Sequence, residues 1–184
     1  MHPLFKERYS GYSFDKDKAV PFSLLKDVLN AARWAPSCYG DEPWRFIICQ
    51  RHKKDKAYET VYASLAKPNQ KWAKEAPLLI VSVADYIFDK TKKHNRWAAH
   101  DTGASAGYLC LQAAASGLMA HQMGGFNGPA LIQYFGLPDE CIPMAVIALG
   151  YPKPEKEPLK RTRKPFGHNF YDGAWGTPLK DSER

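Results

Sequence analysis

Asp101-Thr102-Gly103-Ala104-Ser105-Ala106-Gly107-Tyr108-Leu109-Cys110-Leu111-Gln112-Ala113-Ala114-Ala115-Ser116-Gly117 is the stretch on which the fold turns. It is almost wholly small or apolar, it is too long for a strand, and it stops at a glycine, so it predicts a helix over 101–116. No polar stripe divides it. Such a helix is apolar on more than one face and must be covered on several sides. In a chain of 184 residues the cover comes either from the chain's own layers or from a second copy.

Upstream, Ala76-Pro77-Leu78-Leu79-Ile80-Val81-Ser82-Val83-Ala84 is half the length of a membrane helix and contains proline; it predicts a core strand over 78–84. Residues 21–34 place Leu24, Leu25, Val28, Leu29 and Ala32 at helical spacing behind Pro21. Arg45-Phe46-Ile47-Ile48-Cys49 reads as a buried strand, and 54–65 as a helix closed by Pro68. Downstream, a third strand over 118–123 is broken by Gly124-Gly125. A short helix over 129–135 ends at Gly136, and a fourth strand covers 144–149. Strands interleaved with helices predict one layered domain with a modest sheet. From Pro152 the composition turns to Pro, Lys and Glu, then to a basic group and an aromatic tail, Phe166-Gly167-His168-Asn169-Phe170-Tyr171. This arm, 152–184, has no core of its own and needs its own sheet or a neighbour's to lie on.

Lys and Arg number 26 against 19 Asp and Glu, a net charge of +7, but the excess is confined to 51–56 and 160–164. A nucleic-acid module built on 160–164 with Tyr171 and Trp175 is the minor alternative, because charge alone supports only non-specific binding. The four cysteines, Cys38, Cys49, Cys110 and Cys141, have no CxxC spacing and suggest neither disulfides nor zinc. No membrane span is expected, and an amino terminus without an apolar targeting region makes the cytoplasm the expected location. GxGxxG, P-loop and HExxH patterns are absent, so no NAD-binding Rossmann unit, nucleotide hydrolase or zinc protease is indicated.

Chemistry must therefore be sought in four separated segments. Arg8-Tyr9-Ser10 and Arg161-Thr162-Arg163-Lys164-Pro165 offer guanidinium forks and a hydroxyl suited to phosphate oxygens. Arg161 and Arg163, two apart in an extended segment, point the same way. Gly124-Gly125 after Met123 lets the backbone approach a flat ligand closely. Pro36-Ser37-Cys38, after the first helix, opens a loop fixed at its far end by Pro43-Trp44.

This ordered set resembles the nitroreductase family of FMN-dependent oxidoreductases from Arg8 to about Trp175. Besides the segments above, it is carried by Ala31-Ala32-Arg33-Trp34-Ala35, Glu75-Ala76-Pro77, Asp101-Thr102-Gly103-Ala104, Gly136-Leu137-Pro138 and Ala148-Leu149-Gly150-Tyr151-Pro152. The resemblance implies an α+β, three-layer domain over 1–184 with a mixed, mainly antiparallel sheet flanked by helices. It also implies a homodimer with FMN at the subunit interface and a carboxy-terminal arm that crosses to the partner. By the same resemblance Arg8, Tyr9, Ser10, Tyr12, Arg161 and Arg163 surround the phosphate and ribityl chain. Pro36, Ser37 and Cys38 border the ring, Met123, Gly124 and Gly125 face its reactive edge, and Asn69 meets its pyrimidine end. No side chain is required as a catalytic group: the flavin carries hydride from NADH or NADPH to a small-molecule acceptor. Related folds also dehydrogenate, dehalogenate or degrade flavin. The chain departs from the family pattern at Tyr12, where a basic residue is common, at Gly40, where Asn is common, and at Glu42, where Gln is common.

Overall fold

A computed structural model describes residues 1–53, 56–154 and 160–179. In chain order the elements are α1 (Leu4–Glu7), α2 (Phe22–Arg33), β1 (Trp44–Gln50), α3 (Lys56–Ser64), α4 (Lys67–Ala73), β2 (Leu78–Asp85), α5 (Ala98–Ala115), β3 (Met119–Met123), α6 (Gly128–Phe135) and β4 (Cys141–Gly150). The four strands form one sheet in the order β1-β2-β4-β3, antiparallel at every pairing. The parallel component of the expected mixed sheet is therefore not found among the described residues.

The centre of the sheet explains the apolar run at 78–84. Leu78 and Ile80 enter one core with Leu25, Val28, Leu109 and Ile147, while Leu79, Val81 and Val83 enter the other with Val61, Met119 and Val146. A strand covered on both faces cannot alternate apolar with polar residues. The layers are α2 and α5 on one face, the sheet, and α3, α4 and α6 on the other.

Three boundaries differ from expectation. The long helix begins at Ala98, so Asp101 lies inside its first turn rather than at its start. Pro68 does not close the helix before it; it sits in the first turn of α4, where its missing N–H breaks no helical bond. Residues 54 and 55, at the expected start of α3, lie outside the described residues. The strand over 144–149 is longer than expected and starts at Cys141.

The amino-terminal strap, residues 8–15, is tied to the end of β4. Phe14, fully buried, bridges Pro152; the Asp15 N–H donates to the Tyr151 carbonyl, and the Lys153 N–H donates to the Ser13 carbonyl. None of the described helices is long and apolar enough to cross a membrane.

Tyr58 on α3 is buried, and its hydroxyl donates to the Ala76 carbonyl at 2.7 Å. Burial pushes its pKa from 10.0 up to about 12, with Arg51 pulling the other way. Between those values the unfolded chain has lost a proton that the folded chain keeps, so stability falls as pH rises. Urea unfolding is expected to show a loss no steeper than about 1.4 kcal/mol per pH unit across that window, and Tyr58→Phe is expected to remove it.

Candidate functional site

The strap brings Arg8 and Ser10 over the outer face of α5. The Arg8 guanidinium donates to Ser10 Oγ at 3.3 Å, and both line a cavity of about 400 Å³ with Ala104, Gly107, Cys110 and Gln122. The small residues of α5 leave this space because no side chain fills it. Gly11, next in the strap, is buried, and its carbonyl contacts His121 Nδ1 on β3 at 2.9 Å. Burial pushes the Cys110 thiol up, against a hydrogen bond from Gln122 and the charge of Arg8.

Beyond His121 and Gln122, β3 runs to Met123 and the exposed pair Gly124-Gly125, about 10 Å from residue 122 to residue 125 at the rise of a strand. Here α4 closes in. Asn69 Nδ2 donates to the Gly125 carbonyl at 3.2 Å, and the Ala66 N–H donates to the same oxygen at 2.9 Å. A Cβ at Gly125 would stand 3.2 Å from Ala66 Cβ and 3.3 Å from Asn69 Nδ2, so a larger residue would push α4 away by a few tenths of an ångström. Tyr12 joins the same region, edge-on to Trp72 at 5.4 Å and tilted on His121 at 5.2 Å. Tyr12 thus carries the strap onto α4 and β3, at the position where a basic residue is common in the family pattern.

The two ends of the chain meet at this strap. The Arg161 guanidinium donates to the Arg8 carbonyl at 2.8 Å and to the Lys6 carbonyl. Arg161 therefore serves as an anchor, whereas Arg163 donates to the adjacent Thr162 carbonyl at 2.9 Å and is otherwise exposed. The two guanidinium groups are not brought onto one point as their spacing suggested. Among the described residues no carboxylate forms an ion pair with Arg8, Arg161 or Arg163. The Arg8 cation beside the Ser10 hydroxyl and the small residues of α5 forms a donor set that fits a phosphate.

Pro36, Ser37 and Cys38 are placed elsewhere, at the amino-terminal end of α5. The Cys38 N–H donates to Asp101 Oδ2 at 2.8 Å, and Asp101 Oδ1 contacts His100 Nδ1 at 2.9 Å. Asp101 is 4 % exposed, so this carboxylate is a buried clasp on the loop, set in the first helical turn of α5. The lone acid in an otherwise apolar helix was the signal for it. Ser37 Oγ accepts the Glu42 N–H at 3.0 Å, and Tyr39, Gly40 and Glu42 all have positive φ, at 55°, 67° and 51°. Gly40 in place of Asn is thereby accounted for, since both residues tolerate the left-handed region.

A model of the nitroreductase family matches residues 5–151. The chain belongs to that family. Among nitroreductase-family relatives, an uncharacterized 15.4 kDa protein of Mycolicibacterium smegmatis is 35% identical over 151 residues, covering 73% of this chain and 99% of its own. An NADH dehydrogenase of Thermus thermophilus is 27% identical over 173 residues, covering 77% and 82%. In three dimensions the chain is similar to the crystal structure of an oxidoreductase containing FMN, with a TM-score of 0.87, 28% identity, and 96% and 93% of the two chains covered. The nitroreductase fold and an oxidoreductase of this type are thus established.

Proposed function

We propose that the protein holds FMN and passes electrons from NADH or NADPH to a nitroaromatic, quinone or comparably small acceptor by a ping-pong cycle. The observation that carries this reading is the Arg8 guanidinium beside Ser10, free of any carboxylate among the described residues and lining a cavity against the small residues of α5, in a family member similar to a structure containing FMN. When bound, the flavin supplies the hydride-transfer chemistry. Arg8, Ser10 and Arg163 would hold its phosphate by charge-assisted hydrogen bonds, and Arg161 holds the strap that presents Arg8 and Ser10. Asn69, fixed on the Gly125 carbonyl, orients the ring's polar end. Met123, Gly124 and Gly125 leave the reactive edge open, and Pro36, Ser37 and Cys38 exclude water from its border.

Two copies complete the site in this reading. Pro36–Cys38 stand beside Asp101, while Arg8 and Ser10 stand beside residues 104–111, so one chain presents two partial walls at different heights of α5. An exposed apolar face is available for the second copy: Phe5, Trp34 (83% exposed), Tyr108 and Leu111 line a cavity of about 650 Å³. Beyond its first residues, tied to the strap, the arm over 160–179 is exposed nearly throughout and stacks on itself, Phe166 on Phe170 at 4.5 Å, so it is free to lie across a partner.

Initial rates with NADH and nitrobenzene test the reading. Parallel reciprocal plots are expected. Intersecting plots, or a bound flavin that neither NADH nor NADPH bleaches without oxygen, would overturn it.

A further inference from the structure

The loop that carries Tyr39 forms one wall of a second cavity, about 630 Å³, whose other wall is the connector between β2 and α5. The connector is a tight hairpin: Ile87 bridges His94, the Phe88 N–H donates to the Lys93 carbonyl, and the Lys92 N–H donates to the Phe88 carbonyl. The walls are bolted together at their base, where the Asp89 N–H donates to Asp41 Oδ1 at 2.9 Å and Asn95 Nδ2 donates to Asp41 Oδ2 at 3.5 Å.

Three features mark this cavity. Tyr39 is a non-glycine residue held at φ 55° with its side chain 92% exposed, a backbone strain with no core contact in return. Its ring stands edge-on to Phe88 at 5.8 Å, so two aromatic surfaces face the opening. Around them stand Lys90, Lys93 and His94. The two carboxylates of the lining are already engaged, Asp41 by the bonds above and Asp89 by Lys92 at 2.9 Å. Among the described residues neither Lys90 nor Lys93 has an ion-pair partner.

We infer that this cavity binds a flat aromatic monoanion of the benzoate class, the ring lying against Tyr39 and Phe88 and the carboxylate meeting Lys90 and Lys93. Aromatic faces supply edge and face contacts to a ring, and the lysine ammonium groups select its charge. Tyr39 directly follows Pro36–Cys38, so the site names an acceptor class for the proposed reaction; that link rests on the flavin reading, while binding does not.

Isothermal titration of the protein as purified with 4-nitrobenzoate and with neutral 4-nitrobenzyl alcohol separates the two. The acid is expected to bind more tightly than the alcohol, with affinity falling as salt rises. Lys90→Gln with Lys93→Gln is expected to raise the Kd of the acid about three- to tenfold, with that of the alcohol changing less than about twofold. Tyr39→Ala is expected to weaken both. Equal affinities for acid and alcohol, or an unchanged Kd for the acid in the double variant, would overturn the inference. Failure of NADH to bleach the flavin, with these binding differences intact, would overturn the proposed reaction and leave the site standing.

Discussion

Gly150→Val is expected to lower the stability of the protein by roughly 3 kcal/mol and its Tm by about 6–12 °C, read by urea unfolding and calorimetry. Gly150 ends β4 next to Leu149, which pairs with Leu78, so Pro77 faces it from the neighbouring strand. A Cβ there would collide with Pro77 Cδ, would lie 2.7 Å from Pro77 Cγ, and would press on Phe14 Cδ1 at 3.2 Å. A proline ring cannot rotate away, and Phe14 is wholly buried under the strap. The backbone of Gly150 is outside the left-handed region, so the demand is one of close approach and not of torsional freedom. Because Phe14 anchors the strap, the same change is expected to loosen Arg8 and Ser10. A variant with an unchanged unfolding midpoint would show that the β4 end gives way without resistance.

Asp101→Ala is expected to be the second most damaging single change. It removes the acceptor of the Cys38 N–H and leaves His100 without its partner, in a place where little water can substitute. A hydrogen bond to a buried charge contributes about 1.5–3 kcal/mol, and the loss is expected to appear in the urea midpoint and as faster exchange of the Cys38 amide proton. Asp101→Asn keeps one acceptor oxygen and is expected to retain part of the protection. The effect is local because the strain of residues 39–42 is borne between this clasp and the Asp41 bonds to the connector. With one clasp open, the loop has no reason to keep positive φ at Tyr39 and Glu42.

The layered fold was legible because its strongest signals are local. A β2 buried from Leu78 to Ala84 appears as an apolar run broken only by Ser82, and the αL cap at Gly136 marks the end of α6 as glycine does elsewhere. The start of α5 was less clear: Ala98, Ala99 and His100 carry no capping pattern, and Asp101 resembled a helix-start residue although it is buried and working as an acceptor. Pro68 misled for a related reason, since a proline that closes one helix and one that opens the next look alike in sequence. The candidate site depended on the family resemblance. Asn69 meets Gly125 across 56 residues and Arg161 meets Arg8 across 153, and no periodicity encodes such pairings. Residues 155–159 and 180–184, part of the expected arm, lie outside the described residues.

The hold of Arg161 on the carbonyls of Lys6 and Arg8 has a consequence for biosynthesis. Arg161 is translated 153 residues after the Arg8 that it secures. Until then the strap has only its ties to β3 and β4. A chain cut short of position 161 is therefore expected to hold its strap less firmly.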